Sequence, residues 1–137
     1  MRFIGSDMAV RIAIAATLAV SGIVHAYLYV HGYGHIPAIG TAFLVQASVF
    51  VALAILILAG GPSWLRIAAG LGSAGALVAF AMSRTTGLFG FAEVGWEPSP
   101  FAVVSVVAEI VTVVACLAWV FASERSGERR KMSAWTP

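Results

Sequence analysis

Residues 8–30, 41–60, 65–85 and 100–122 are four predominantly apolar stretches, each long enough to cross a bilayer, which takes about 20 helical residues at 1.5 Å rise apiece. Nothing else in the chain restricts its fold as strongly. In hydrocarbon every backbone N–H and C=O must find its partner within the protein, so an apolar segment of this length folds as a helix. Composition agrees: 61% of the 137 residues are apolar and 10% charged, against roughly 45–50% and about 25% in soluble domains. The expected fold is all-α, an antiparallel four-helix transmembrane bundle forming one integral membrane domain over 1–137, with 123–137 as a basic cytoplasmic tail.

The punctuation between the stretches is sharp. Pro37 and Gly40 precede the second span, with Thr41 or Gly40 as its expected N-cap. Gly61-Pro62-Ser63 marks a tight turn before the third, and Ser99-Pro100 supplies a cap and a first-turn proline for the fourth. The first apolar run exceeds the roughly 7–15 residues of a signal-peptide core and lacks a small-x-small cleavage site before the tyrosines, so it is read as a mature helix.

Charge sets the expected orientation. Arg2, Arg11, Arg66, Arg125, Arg129, Arg130 and Lys131 fall on one side of the bilayer and only Arg84 on the other, which places both termini in the cytoplasm and the 31–40 and 86–99 loops outside. The tail sequence ERSGERRK then reads as a topological anchor that attracts anionic lipid, and no nucleic acid partner is expected. Seven arginines against one lysine, with abundant alanine, valine and glycine, suggest a GC-rich bacterial genome and hence a multi-pass protein of the bacterial plasma membrane. The single cysteine, Cys116, excludes an internal disulfide and a cysteine metal cage within one chain.

Polar residues are few enough that their spacing is informative. Thr17, Ser21 and His25 recur at i, i+4, i+8 on the first helix; Ser105, Glu109, Thr112 and Cys116 recur at i, i+4, i+7, i+11 on the fourth. Facing lipid, these groups would be unpaired, so the two seams are expected to meet inside the bundle. Small residues at Ala15, Ala19, Gly22 and Ala26, and at Ala68, Gly72 and Ala76, are expected to allow close helix approach. Measured by helical rise, Glu109 lies roughly 3 Å outward of the bilayer centre, Gln46 roughly 7 Å, His25 roughly 9 Å and Arg84 roughly 13 Å. An uncompensated acid at that depth costs about 2.5–3.5 kcal/mol on insertion scales. Glu109 must therefore be protonated, paired or facing water, and His25, Gln46 and Arg84, with Ser21 and Ser105, are the candidate partners. Two readings stay open: a small-molecule or proton site, or a buried network that sets helix register.

His31 and His35 would share a helix face only if 31–35 were helical, which Gly32, Gly34 and Pro37 oppose. They are weak candidates for a metal pair and stronger ones for a hydrated turn, where Tyr27, Tyr29, Tyr33, Phe89, Phe91 and Trp96 form an aromatic belt. No metal site is expected. A bis-His haem lacks a second ligand within a span, Met82 or a partner chain being the substitutes. Glu93, Glu97 and Glu109 are too scattered in depth for a carboxylate metal site. The chain has no nucleophile triad, phosphate loop or nucleotide fingerprint.

The segments HAYLYVHGYGHIPAIGTAFLVQ, SRTTGLFGFAEVGWEPSP and SVVAEI resemble small four-span membrane proteins of high-GC Gram-positive bacteria, mostly of unknown function, over about residues 20–112. The opening VRIAIAATLAVSGIVHAYLY is weakly similar to the first helix of DoxX-like four-helix membrane proteins. That resemblance implies the same fold and, for part of the group, quinone-linked redox chemistry; with Cys116 alone, thiol redox work does not carry over. On the resembling positions the residues to watch are His25, Tyr33, Pro37, Gln46, Arg84, Gly87, Glu93 and Glu109.

Three functions are expected. The first is a non-catalytic accessory or stabilising subunit of a larger membrane complex of respiratory or lipid-transport type, suggested by short loops and no soluble catalytic domain. The second is a binder of a lipophilic redox molecule such as a quinone, held by His25, Gln46 and Glu109. The third is a small proton- or ion-coupled transporter, working as a homo-oligomer. No cofactor is predicted, though a quinone or lipid fits the second reading.

Overall fold

The computed structural model describes residues 2–133 of the chain, with side-chain placement over residues 7–127. It is all-helical: α1 spans Arg2–Leu28, α2 Ile39–Leu58, α3 Trp64–Ser83 and α4 Phe101–Ser133. All four are long and apolar enough to cross a membrane, with the apolar segments at Asp7–Tyr33, Ile39–Leu58, Trp64–Ser83 and Phe101–Gly127. The expected bundle is thus observed, with helix ends shifted by one or two residues at α2, α3 and the start of α4. At the far end α4 runs on through the expected tail. The side chains of Arg129, Arg130 and Lys131, and residues 134–137, lie outside the described residues.

The helices form a ring in the order α2, α1, α4, α3. Each neighbouring pair is closely packed except α2 and α3, whose seam is the sparsest of the ring. At the end carrying the termini, Ile14, Leu18, Phe50, Leu53, Ile57 and Ala69 close a dry core, with Cys116 at its edge. That end is also clamped electrostatically: Asp7 accepts from Arg66 at 2.7 Å and from Arg11 at 2.8 Å, and the Arg66 guanidinium lies 4.7 Å over the Trp119 ring. Among solved ways to hold an arginine at a helix end, a paired carboxylate and an aromatic face are the ones that avoid an unpaired buried charge.

Small residues do bring helices together, though not along every expected stripe. On α1, Ala15 and Gly22 are buried and Ala26 is exposed. A Cβ on Gly22 would sit 3.1 Å from Val51 and 3.2 Å from the Ala47 carbonyl, so this glycine sets the α1–α2 distance. On α3 the buried stripe is Leu65, Ala69 and Ser73, not Ala68, Gly72 and Ala76. The latter face the α2 edge instead, where Gly72 meets Phe50. The reason is the ring order: α3 packs chiefly on α4, so its α2-facing stripe is left half covered.

The first connection departs most from expectation. After Leu28 the chain makes a wide turn over Tyr29–Tyr33, broken at His31 (φ −101°, ψ 27°) and Gly32 (φ 143°). The N-cap of α2 is Ala38, at φ 62°, with no capping side chain; Gly40 and Thr41 lie inside the helix. Backbone groups do the capping work, with Ile39 N–H donating to Pro37 and Gly40 N–H to Ile36. A Cβ on Gly40 would lie 2.5 Å from the Gly34 carbonyl oxygen, so the tight turn, not capping, is what needs glycine there.

Candidate functional site

The two polar seams face each other. Thr17 and Thr112 hydroxyls are 2.7 Å apart, and one turn further on Ser21 meets Ser105 at 3.3 Å. Above them sits the Glu109 carboxyl, 2% exposed. Its Oε1 receives three donors from three helices: Ser21 Oγ at 2.9 Å, Ser105 Oγ at 3.0 Å and Gln46 Nε2 at 2.9 Å. A carboxyl oxygen with three donors has no room for a proton, so any proton Glu109 carries is on Oε2. Oε2 makes no hydrogen bond among the described residues, and Glu109 is one of the residues that line a cavity.

His25 does not bond Glu109 directly. Its Nδ1 lies 2.9 Å from the Ser21 carbonyl oxygen, an acceptor, so Nδ1 carries the hydrogen and donates. In the neutral ring Nε2 then holds a lone pair, and it too has no partner among the described residues. The ring sits edge-on to Phe43 at 4.9 Å between centroids and lines the same cavity. His25 and Glu109 are thus joined through Ser21, with Oε2 and Nε2 free.

The cavity has a volume of about 110 Å³ and is partly open. All four helices contribute: Glu109 and Ser105 from α4, His25 from α1, Gln46 and Phe43 from α2, Ala76 and Phe80 from α3. Its α2 and α3 walls, at Gln46 and Ala76, lie one turn beyond Phe50 and Gly72, which meet.

Loops roof it. Tyr33 donates its hydroxyl hydrogen to Glu93 Oε1 at 2.5 Å, and Arg84 Nη1 pairs with Glu93 Oε2 at 3.2 Å. Arg84 also donates to the carbonyls of Gly95 and Glu97 and to Ser83 Oγ, and lies 4.4 Å over the Phe80 ring. Tyr33 stacks on Phe43 at 4.9 Å, tying the roof to α2. A β-type contact between Leu88 and Phe91 folds the 84–100 connection back on itself.

Of the residues singled out by sequence, Glu109, Gln46, Ser21 and Ser105 are in direct contact and His25 is one bond away. Arg84 lies in the roof above the site, where its guanidinium pairs with Glu93 and donates to the 95 and 97 carbonyls, and it makes no bond to Glu109. Tyr33 and Glu93 belong to the cavity wall as well. Their pairing was not foreseeable, since loop–loop contacts leave no periodicity to read. His31 and His35 are both exposed; His31 stacks on Tyr27 at 3.9 Å and accepts or donates no bond to His35. Met82, 41% exposed, is outside the cavity wall and offers His25 no axial counterpart. Searches with this chain against protein-family models, curated proteins and solved structures return no match.

Proposed function

We propose that the chain binds a lipophilic small molecule head-first, with the polar end at Glu109 Oε2 and His25 Nε2 and the apolar remainder lying between α2 and α3. The observation that carries this reading is the division of labour at Glu109: one oxygen is saturated by three donors while the other takes none, and Glu109 lines one cavity with His25, whose Nε2 is also without a partner among the described residues. Small-molecule sites share this form, an apolar concavity with a few convergent polar groups.

Size limits the ligand. A 150 Å³ apolar cavity is about what benzene requires, and this one is about 110 Å³. A quinone, the expected ligand, is the bulky extreme: its ring enters only if Phe43 or Phe80 gives way. A slender head fits without rearrangement. Organic extraction of the purified protein, followed by mass spectrometry, tests the reading against an Ala76→Phe variant that fills the cavity. A lipophilic species retained by the unmodified chain and absent from Ala76→Phe is the expected result; equal retention by both overturns it.

The accessory-subunit reading is compatible with this one. It rests on the connections 29–38, 59–63 and 84–100, which leave no soluble domain among the described residues. Solubilising native membranes in mild detergent and identifying proteins held at fixed stoichiometry tests it; a chain that emerges alone counts against it.

A further inference from the structure

Every buried or half-buried acid among the described residues has a cationic partner except one. Asp7 is paired with Arg66 and Arg11, and Glu93 with Arg84. Glu109, the most deeply buried, has only neutral donors: two serines and a glutamine. The cavity wall therefore carries two carboxyl groups and one guanidinium, and that guanidinium is spent on Glu93, two loop carbonyls and Ser83. No cation is left to receive an anionic head group. What the cavity offers instead are acceptors: Glu109 Oε2 and the lone pair of His25 Nε2, the latter because Nδ1 is committed to the Ser21 carbonyl.

A carboxylate in a low-dielectric site without a counter-charge is costly, so Glu109 gives up its proton most readily to a ligand that becomes or already carries a cation, which offsets part of that cost. A neutral hydroxyl head supplies a donor and no charge; a carboxylate or phosphate head adds a negative charge that the engaged guanidinium of Arg84 does not meet. Aromatic walls at Phe43, Phe80 and Phe91 are also compatible with a positive head, whose apolar body they cover. We infer that the ligand class of this cavity is the lipophilic amine: its ammonium head pairs with Glu109 Oε2 and donates to His25 Nε2, and its chain leaves between α2 and α3. The inference rests on the head-first binding proposed above and adds the charge of the head.

The test compares three probes of one chain length, dodecylamine, dodecanol and dodecanoate, by titration calorimetry. The protein is reconstituted in phosphatidylcholine nanodiscs, and empty discs serve as blank. The expected result is a dissociation constant for the amine about tenfold or more below that for the alcohol, with no saturable binding of the carboxylate. In Glu109→Gln the amine is expected to lose its advantage over the alcohol. Glutamine keeps an oxygen for Ser21, Ser105 and Gln46, and a helical circular-dichroism spectrum and thermal unfolding matched to the unmodified chain report that the fold survives. Alcohol or carboxylate binding as tightly as the amine overturns the inference and leaves the head-first reading standing. So does an amine preference that persists in Glu109→Gln. Saturable binding of none of the three by the unmodified chain overturns both. The three-probe comparison decides the matter even if the variant does not fold.

Discussion

At the scale of single residues, Glu109 is the group on which three helices converge. Glu109→Ala strands the donors of Ser21, Ser105 and Gln46, each buried or half-buried, and is expected to cost about 2–4 kcal/mol. Glu109→Gln, which keeps an acceptor, is expected to cost less than about 1 kcal/mol. Unfolding of both variants in mild detergent measures the difference, and equal losses would show that shape, not hydrogen bonding, is what the site needs. The Thr17–Thr112 pair is a smaller case: a double-mutant cycle through the two valine variants is expected to yield a coupling of about 0.6 kcal/mol, the ordinary worth of such a bond between membrane helices. Much of this was legible in the sequence. In a chain so poor in polar side chains, a four-residue recurrence of Thr17, Ser21 and His25 against Ser105, Glu109 and Thr112 leaves one sensible arrangement. Arg84 was not legible, because its partner Glu93 sits in a loop whose path no periodicity announces.

At the scale of elements, the helices follow from apolar length and their boundaries from backbone detail. The existence of α1 to α4 could be read directly, whereas the start of α2 could not. Ala38 caps it in a left-handed conformation that no side-chain preference would suggest, and Gly40 is required by the approach of the Gly34 carbonyl. Gly40→Ala is accordingly expected to destabilise by about 1–3 kcal/mol, the range for forced overpacking. Gly75→Ala, where a Cβ meets nothing within 4 Å, is expected to be neutral or stabilising by up to about 1 kcal/mol. Thermal unfolding of the two variants in the same detergent checks both, and a Gly40→Ala variant as stable as Gly75→Ala would refute the turn argument. The roof is held by fewer contacts. Tyr33→Phe and Glu93→Ala each remove the bond between the two outer loops, so amide exchange over 84–100 should speed up in either variant. Exchange within α4 should not change. Acceleration spread equally over loop and helix would mean that Tyr33 and Glu93 support the whole bundle and not the roof alone.

At the scale of the whole molecule, one half is closed and the other is not. The termini end combines an apolar core with the Asp7–Arg66–Arg11 clamp, while the loop end holds the cavity, the acid and the roof. The distribution of arginines proposes that the closed half faces the cytoplasm. Val94, 85% exposed in the roof loop, and Gly127 near the end of α4 are suitable reporters. With Cys116 replaced by serine, a cysteine at 94 should react with a membrane-impermeant maleimide on intact cells, and one at 127 only after lysis; the reverse pattern would invert the molecule. Sequence could establish that the bundle exists but not its ring order, because neighbouring apolar helices carry no label for which faces which. That order matters, since it leaves α2 and α3 as the loosely joined pair. On the proposed reading, with the ligand's apolar part between these two helices, the surrounding leaflet is the solution from which the site fills. Occupancy should therefore follow the mole fraction of ligand in lipid: adding buffer to proteoliposomes leaves it nearly unchanged for a strongly partitioned molecule, and adding empty vesicles drains it.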